Sequence, residues 1–258
     1  MPIHSSAIID PGARIGGTAT VGPYCIIGSE VEIGAGTRLL AHVYIDGPTW
    51  IGEENTFYPF SSIGVASQDL KYQGERAETR IGNRNQIRES VTIHRGTKGG
   101  GLITSLGDDN LVMAYAHVAH DCRIGNHTVL ANAATLGGHV IVEDWARIGA
   151  FTGVHQYCRI GKHAMIGGYS VITRDVLPYS MTSEEREAKL YRANSVGLER
   201  RGYTAESINP INRAFRILRD PEVNTAKAVE RLKAELAESA EVAEIIAFLE
   251  SSERGFIK

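Results

Sequence analysis

The chain has 258 residues, a formal net charge of −3 and only 7% aromatic residues. This charge excludes nucleic-acid binding through a generally basic surface. The sequence has no run of about 18 apolar residues and no basic-then-apolar pattern at its start, so we expect a cytoplasmic protein without an integral membrane segment.

An aliphatic residue returns at every sixth position along most of the chain, starting at Ile3 and most strictly over residues 106–177. Neither a helix, with its period of about 3.6, nor an ordinary strand, with a period of 2, needs such a repeat. The pattern is typical of a chain wound into a prism, with one short strand per hexad and three hexads per coil. We therefore predict a mainly β prism over residues 1–178, with residues eighteen apart stacked at strand spacing, about 4.8 Å.

Glycine directly follows several of the repeated aliphatic residues, as in Ile15-Gly16 and Val21-Gly22. Glycine reaches backbone angles that are closed to other residues. We therefore expect these glycines to form the sharp corners of the prism.

The repeat stops twice, at residues 66–79 and 95–105, and we predict that a loop leaves the prism at each place. The first stretch is polar and carries Gln68, Asp69 and Lys71. The second contains three consecutive glycines, 99–101, and shifts the phase of the repeat. Because loops often carry function on a rigid scaffold, we expect these two to serve a site.

The hexads end at Pro178, which cannot continue a strand ladder, and the composition then becomes helical. We predict a C-terminal α-helical domain over residues 179–258. Within it, capping signals or apolar residues at helical spacing predict four helices, over residues 183–192, Ala205–Arg219, residues 225–239 and Ala240–Ser251.

A coil of eighteen residues brings together histidines that are far apart in the sequence. His120, Gly138 and Gln156 fall into one column, and Asp121 and His139 fall into the next. Two further histidines lie beside these columns: His155 and His117. The eighteen-residue period thus predicts one surface patch of histidines with Asp121, which no local stretch of sequence reveals.

Such a patch suits general-base chemistry. A neutral histidine, with an ordinary pKa of about 6.5, can take a proton from a hydroxyl near neutral pH. The carboxylate of Asp121 can hold the ring tautomer, and the N–H of Gly138 can stabilise an oxyanion. The patch has no strong nucleophile, which favours direct transfer between two bound substrates. A zinc site remains an alternative, because histidine is a common zinc ligand.

Several segments resemble the UDP-N-acetylglucosamine O-acyltransferases of lipid A biosynthesis. Three carry the histidines: HVAHDC at 117–122, LGGHV at 136–140 and VHQYC at 154–158. The others are QDLKY at 68–72, IRESVTIHRG at 87–96, GL at 197–198, RRGY at 200–203 and RGFIK at 254–258. The resemblance covers nearly the whole chain.

The resemblance implies a left-handed parallel β-helix with a helical C-terminal domain, assembled as a homotrimer with active sites between neighbouring prisms. It implies transfer of a 3-hydroxyacyl group from acyl carrier protein, which holds it on phosphopantetheine, to the 3-hydroxyl of UDP-N-acetylglucosamine. No cofactor or metal of the enzyme's own is implied. His120 is implied as the general base, Asp121 as its orienter and Gly138 as the oxyanion donor.

The same resemblance implies the substrate contacts. Gln68, Asp69 and Lys71 would meet substrate from the adjacent subunit, and Gly168 would gauge acyl length, with glycine leaving room for a longer chain. The remaining implied contacts are His117, His139, His155 and Gln156 at the sugar and acyl site, and Asn194, Arg200 and Arg201 at the nucleotide end, where arginine suits phosphate.

Two stretches depart from the resemblance. Residues 180–193 differ from the family's best-known members, and Val196 stands where those members carry an acidic residue near the nucleotide. For the acidic carrier protein, we expect a basic docking surface on the helical domain, formed by Arg213, Arg216 and Arg219.

Three rival functions fit parts of the pattern. A related sugar N-acyltransferase carries an extra N-terminal domain, whereas the hexads here start at Ile3. A γ-class carbonic anhydrase, a zinc lyase, uses the same prism. A non-enzymatic scaffold would not need the histidine patch or the lysine on the first loop.

Overall fold

The computed structural model describes residues 3–182 and 188–258, and most of them wind into a three-sided prism. We call its three sheets face I, face II and face III. Each coil of the chain contributes one short strand to each face, in that order. Face I contains Ile8–Ile9, Ile26–Ile27, Tyr44–Ile45, Ser62–Val65, Thr92–His94, His117–Val118, Thr135–Leu136, Gly153–Val154 and Val171–Ile172. Face II contains Arg14–Ile15, Val31–Ile33, Thr49–Ile51, Glu78–Ile81, Ile103–Leu106, Arg123–Ile124, Ile141–Val142 and Arg159–Ile160. Face III contains Thr20–Val21, Arg38–Leu39, Thr56–Phe57, Gln86–Ile87, Leu111–Val112, Val129–Leu130, Arg147–Ile148, Met165–Ile166, Ser180–Thr182 and Leu190–Ala193.

The strands pair in parallel with the predicted register of eighteen residues. On face I, for example, His117 lies opposite Thr135, and Thr135 lies opposite Gly153. From Val21 onward the repeated aliphatic residues point inward and form one continuous buried core, against which Ile9 and Ile15 pack. This burial of apolar surface is what holds strands of two or three residues together.

Both predicted loops leave the prism without interrupting the stack. The first spans residues 66–77, and the strands below and above it pair thirty residues apart, as Ser62 does with Thr92. The second spans residues 95–102, contains a short 3-10 helix at Lys98–Gly100, and gives pairs twenty-five residues apart. The first insertion therefore adds two whole hexads and keeps the phase, whereas the second adds seven residues and shifts it.

The corners are built differently from the sequence prediction. Gly16 and Gly22 are not in the left-handed region; a Cβ atom at Gly22 would lie 1.5 Å from the carbonyl oxygen of Leu40 on the next coil. These glycines permit close stacking of coils. The left-handed residue comes two positions later, as at Tyr24, and it is usually not glycine. The prediction that these glycines supply the corner angles is therefore wrong.

Helices α1 (Ser195–Glu199), α2 (Ala205–Arg219), α3 (Thr225–Glu235) and α4 (Ala240–Ser251) follow the last strand. The predicted bounds of α2 and α4 are confirmed, α3 ends four residues earlier than predicted, and α1 was not predicted. The helices pack around a second apolar core that includes Leu198, Ile211 and Leu232. No helix within the described residues is both long and apolar enough to cross a bilayer.

The predicted helix over residues 183–192 is wrong where the structure describes it. Leu190–Ala193 is a strand that runs antiparallel to Ser180–Thr182, and its two end residues are buried. This strand pairs with the edge of face III and supplies hydrogen-bond partners to backbone groups that would otherwise be exposed there. That pairing outweighs the helical tendency of the local sequence. Residues 183–187, which include the proposed helix start, lie outside the described residues.

Candidate functional site

His120 lies at the edge between faces I and II, just after strand His117–Val118. The register places Gly138 against it: a Cβ atom at residue 138 would lie 2.5 Å from both Cε1 and Nε2 of the imidazole. Only glycine therefore leaves room for the His120 ring. The N–H of Gly138 donates to none of the described residues, so it is free to bind a ligand oxygen.

Asp121 holds the other side of the His120 ring. Its Oδ2 lies 2.7 Å from Nδ1 of His120, and its side chain has no exposed surface. The carboxylate also accepts hydrogen bonds from the Thr97 N–H and Oγ1, at 2.9 and 2.6 Å. An ionised carboxylate only accepts, so the Nδ1 of His120 carries the proton. Nε2 presents a lone pair to the space between Asp69 and Gly138, which we call the cleft.

The neighbouring histidines are kept neutral by their surroundings. Burial lowers the pKa of His117 and of His139, and burial with the nearby His117 lowers the pKa of His94 to about 4. The His139 ring meets the His120 ring edge to face and stacks flat on Tyr157. Nδ1 of His117 lies 2.7 Å from the hydroxyl of Thr92. These rings are thus hydrogen-bonding and packing groups at neutral pH.

The first loop reaches the same edge of the prism. Asp69 Oδ2 lies 3.8 Å from Nε2 of His120 in the same chain, and Lys71 is near enough to His139 to act on its charge. Gln68 and Lys71 are exposed. The loop therefore lies beside the histidines of its own chain, and the contact with substrate from the adjacent subunit that the resemblance implies stays a prediction.

Not every predicted residue joins this group. His155 and Gln156 lie one coil beyond Gly138 on the same edge and are exposed. Gly168 lies at the edge between faces III and I, on the far side of face I from His120. A Cβ atom at Gly168 would lie 3.2 Å from the carbonyl oxygen of Ala150, so the position is narrow but not closed.

The predicted nucleotide residues line a separate cleft of about 490 Å³ between face III and α1. The side-chain oxygen of Asn194 accepts the N–H of Gly197 and so caps α1, and its amide donates to the carbonyl of His163, so both ends of the side chain bond within the protein. Arg201 donates to the carbonyls of Gly197 and Trp145, whereas Arg200 is exposed. Two further arginines complete the positive lining: Arg147 and Arg192.

The two groups of residues occupy different edges of one prism. Trp145, which borders the arginine cleft, is at the edge between faces II and III, whereas His120 is at the edge between faces I and II. A face is crossed in about six residues, or up to roughly 20 Å at 3.3 Å per residue. One chain therefore presents the two halves of the predicted site on separate corners.

His120, Asp121 and His139 are close enough together to hold a metal ion. The oxygen that would serve, Oδ2 of Asp121, already accepts from the Thr97 hydroxyl and from His120 Nδ1 at 2.6 and 2.7 Å. A metal would have to displace both donors. The donor set therefore fits a hydrogen-bonded pair better than a metal centre.

Sequence reasoning missed the residues that fix Asp121. Thr97 and Thr104 lie in and just beyond the second loop, and Thr104 Oγ1 accepts the N–H of Asp121 at 2.7 Å. Gly100 packs directly on the carboxylate, since a Cβ atom there would lie 2.0 Å from Asp121 Cγ. The run of three glycines was the one signal in the sequence, because such a run allows close approach of backbone.

The basic surface expected on α2 is partly engaged within the chain. Arg213 lies 3.8 Å from Glu235, and Arg219 donates to the carbonyl of Tyr191 at 2.7 Å. All three arginines, including Arg216, are exposed. The predicted docking surface for a carrier protein stays a prediction.

Comparison with known proteins identifies relatives along the whole chain. Residues 175–257 match the sequence family described as Udp N-acetylglucosamine O-acyltransferase, domain 2, and residues 103–138 match the bacterial transferase hexapeptide family. The acyl-[acyl-carrier-protein]–UDP-N-acetylglucosamine O-acyltransferase of Thermodesulfovibrio yellowstonii is 49% identical over 256 residues, which are 99% of both chains.

Solved structures agree with this match. LpxA from Acinetobacter baumannii has a TM-score of 0.97 at 41% identity, and both chains are covered completely. The UDP-N-acetylglucosamine O-acyltransferase (LpxA) from Moraxella catarrhalis has a TM-score of 0.96 at 40% identity, again over both whole chains. These likenesses and the hexapeptide match confirm the predicted left-handed parallel β-helix with helices at its C-terminal end.

Proposed function

We propose a reaction for this chain from one premise: the chain belongs to the UDP-N-acetylglucosamine O-acyltransferase family. It is an acyltransferase of lipid A biosynthesis that moves a 3-hydroxyacyl group from acyl carrier protein to the 3-hydroxyl of UDP-N-acetylglucosamine. The observation that carries the mechanism is the His120 ring, bonded to Asp121 on one side and lying on Gly138 on the other.

The proposed chemistry is a direct transfer. His120 Nε2 takes the proton of the sugar hydroxyl as its oxygen attacks the thioester carbon. The negative charge on the carbonyl oxygen is stabilised by the N–H of Gly138. When the intermediate collapses, the carbon–sulfur bond breaks and His120 returns the proton to the departing phosphopantetheine thiolate. Asp121 stabilises the imidazolium between the two steps.

We assign binding roles to the remaining residues by their place on the molecule. Gln68, Asp69 and Lys71 lie on the loop beside His120 and suit the sugar hydroxyls. His117 on face I suits the sugar and acyl groups, as do His139, His155 and Gln156 at the neighbouring edge. Gly168 suits the far end of an acyl chain laid across face I, where its missing side chain favours a longer chain.

The arginine cleft suits the nucleotide diphosphate. Four arginines line it, and arginine binds phosphate through two parallel hydrogen bonds. Arg200 and Arg201 are the proposed ligands. Asn194 supports them by capping α1, from whose C-terminal end both arginines project. Val196 in the lining leaves the ribose or base without an acidic partner at that point.

One substrate cannot be served by both edges of the same prism, so we propose a homotrimer with its sites between chains. A three-fold axis along the prism brings the His120 edge of one chain against the arginine cleft of the next, and a closed ring repeats this contact three times. Within such a ring each site is built from two chains.

A mixing experiment tests this arrangement. The His120→Ala chain is expected to be nearly inactive alone. The Arg200→Ala/Arg201→Ala chain is expected to be nearly inactive when the sugar nucleotide is kept far below the raised KM of that variant. Co-expressed, they form some sites with both sets of residues intact, and activity returns to a fraction of that of the unchanged enzyme. Sites contained within one chain predict no recovery, because every chain then lacks one set.

The assay for the function itself uses purified protein, labelled UDP-N-acetylglucosamine and a panel of 3-hydroxyacyl carrier proteins of different length. A 3-amino sugar nucleotide serves as the competing acceptor. We expect product with the hydroxyl acceptor and a preference for longer chains. Transfer to the amino acceptor alone would contradict the proposal.

We propose that no metal or prosthetic group takes part, since the His120–Asp121 pair supplies the base. Activity should survive prolonged dialysis against a chelator, whereas a zinc lyase on this prism would lose its activity. The three cysteines are buried free thiols, which suits the cytoplasmic location that we propose.

A further inference from the structure

The second loop, residues 95–102, folds onto the buried carboxylate of Asp121. Its Thr97 donates two hydrogen bonds to that carboxylate, from N–H to Oδ1 at 2.9 Å and from Oγ1 to Oδ2 at 2.6 Å. Thr97 is itself 4% exposed. The loop therefore covers the side of Asp121 that points away from the cleft.

The Thr97 hydroxyl and the His120 ring share one oxygen. Oδ2 of Asp121 accepts both Thr97 Oγ1 and His120 Nδ1, at 2.6 and 2.7 Å. With Oδ1 held by the Thr97 N–H, the plane of the carboxylate is fixed at three points. A fixed carboxylate in turn fixes the plane of the imidazole and the direction of its free Nε2 lone pair.

The backbone around both residues reinforces this geometry. Asp121 is in the left-handed region at φ 60°, and its N–H donates to Thr104 Oγ1. The carbonyl of Thr97 accepts the N–H groups of Gly100 and Leu102, at 3.1 and 2.9 Å, which closes the loop on itself. Gly100 then fits against Asp121 with no room for a Cβ atom.

We propose that Thr97 is a positioning residue for the reaction, acting through Asp121 on His120 without touching substrate. The inference rests on the function proposed above. The seven residues that the second loop adds to a coil serve, in this view, to bring a hydroxyl donor behind the carboxylate. The triad is Thr97–Asp121–His120, with the threonine as its third member.

Replacing Thr97 by valine removes the hydroxyl and keeps the shape. We expect kcat to fall on the order of 10-fold or more, the cost of losing a hydrogen bond to a charged group, while KM for both substrates stays within about twofold. Thr97→Ser keeps Oγ and should recover most of the rate. The matched control is Thr152→Val, which removes a similarly buried hydroxyl that donates to the carbonyl of Gly167, far from His120.

The pH dependence of kcat gives a readout that loss of stability does not move. The charged and titratable groups near His120 are Asp121, Asp69, His139, His117 and His94. In Thr97→Val the carboxylate of Asp121 has one donor fewer, so it interacts more strongly with the imidazolium that forms during the transfer. The acid limb of the Thr97→Val profile should therefore move to higher pH, and that of Thr152→Val should not.

A second pair of variants tests the loop without changing Thr97. In Gly100→Ala the new Cβ would overlap Asp121, whereas in Gly99→Ala it meets nothing closer than Thr97 Oγ1 at an ordinary 3.8 Å. We expect a more than tenfold loss of kcat for Gly100→Ala and a near-normal kcat for Gly99→Ala.

The outcomes separate clearly. Wild-type kcat and an unmoved acid limb in Thr97→Val overturn the inference, as does a loss of kcat that Thr152→Val reproduces. If Thr97→Val does not fold, equal activities of Gly99→Ala and Gly100→Ala overturn it instead. An unchanged enzyme that transfers no acyl group would overturn the proposed function, and not this inference alone.

Discussion

Two edges of the same prism carry histidines at equivalent corners, but one ring lies in the candidate site and the other is enclosed in the protein. His139 at the edge of faces I and II and His163 at the edge of faces II and III both have left-handed backbones, with φ of 63° and 58°. His139 stacks on Tyr157 and opens onto the cleft beside His120. His163 is 4% exposed and is closed in by the hydroxyl of Tyr203.

The difference comes from what covers each edge. Inserted loops lie over the first edge, where they bury the carboxylate of Asp121 and leave the Nε2 lone pair of His120 available to a substrate. The C-terminal strand and helices lie over the second edge. They enclose the ring of His163 and place the arginines of the cleft at the surface. The repeated backbone thus supplies equivalent positions, and the covering segment decides which of them do chemistry and which bind.

The largest effect that this comparison predicts is on proton transfer at the first edge. His120→Ala should lower kcat by about 10²–10⁴-fold, the usual contribution of a general base. The rate is measured with saturating acyl carrier protein and sugar nucleotide. His42→Ala, an exposed histidine stacked between Tyr24 and Phe60, is the control. Full turnover by His120→Ala would remove the base assignment.

Gly138→Ala should have the next largest effect, because the new Cβ overlaps the His120 ring and removes free approach to the N–H. We expect a loss of about 10²-fold in kcat, similar to loss of one oxyanion donor. Gly17→Ala, where a Cβ meets nothing, should be as active as the unchanged protein. Equal activity of the two variants would contradict the oxyanion role.

A smaller effect is expected at the second edge, where the comparison predicts binding and not chemistry. Arg200→Ala should raise KM for the sugar nucleotide about tenfold at nearly constant kcat, since it removes one charged partner of the diphosphate. KM for the carrier protein should not change. A fall in kcat with constant KM would place Arg200 in the chemical step.

The smallest effect is on stability and concerns the enclosed ring. Burial, with Arg201 nearby, lowers the pKa of His163 to about 4, against about 6.5 in an unfolded chain. Between these values the unfolded chain binds a proton that the folded chain does not. The free energy of unfolding that His163 contributes is therefore fully present above pH 6.5 and declines as the pH falls towards 4.

His163→Phe keeps a ring in the stack between Trp145 and Tyr179 and removes the titration. The decline in the free energy of unfolding between pH 6.5 and 4 should become shallower by at most about 1.4 kcal/mol per pH unit. Urea unfolding at several pH values measures it, with exposed His42→Phe as the control. An unchanged slope for His163→Phe would show that the ring titrates normally.

Much of the fold was predictable because its information is periodic. The hexad of inward aliphatic residues predicts a coil of eighteen residues, and that period predicts that His120 lies beside Gly138. Helices α2 and α4 were predictable because their apolar residues recur at helical spacing on long segments. The role of glycines such as Gly22 was not predictable. A glycine after an aliphatic residue is equally consistent with close stacking of coils and with a left-handed corner.

What lay outside the repeat was harder to predict. Thr97 belongs to a stretch without period, and its partner is twenty-four residues away across a coil. The strand Leu190–Ala193 looks helical locally and becomes a strand because the edge of face III needs backbone partners. The division between a prism ending at residue 178 and a helical domain starting at 179 stays a prediction.

The two insertions have a consequence for how such chains can change. The first lengthens one coil by twelve residues and the second lengthens another by seven, yet the strands on either side still pair in parallel. The pairing of strands therefore does not require a fixed number of residues in each coil. Segments of seven and of twelve residues are both accommodated where a strand ends, so new chemistry can be acquired at a corner without redesigning the prism that supports it.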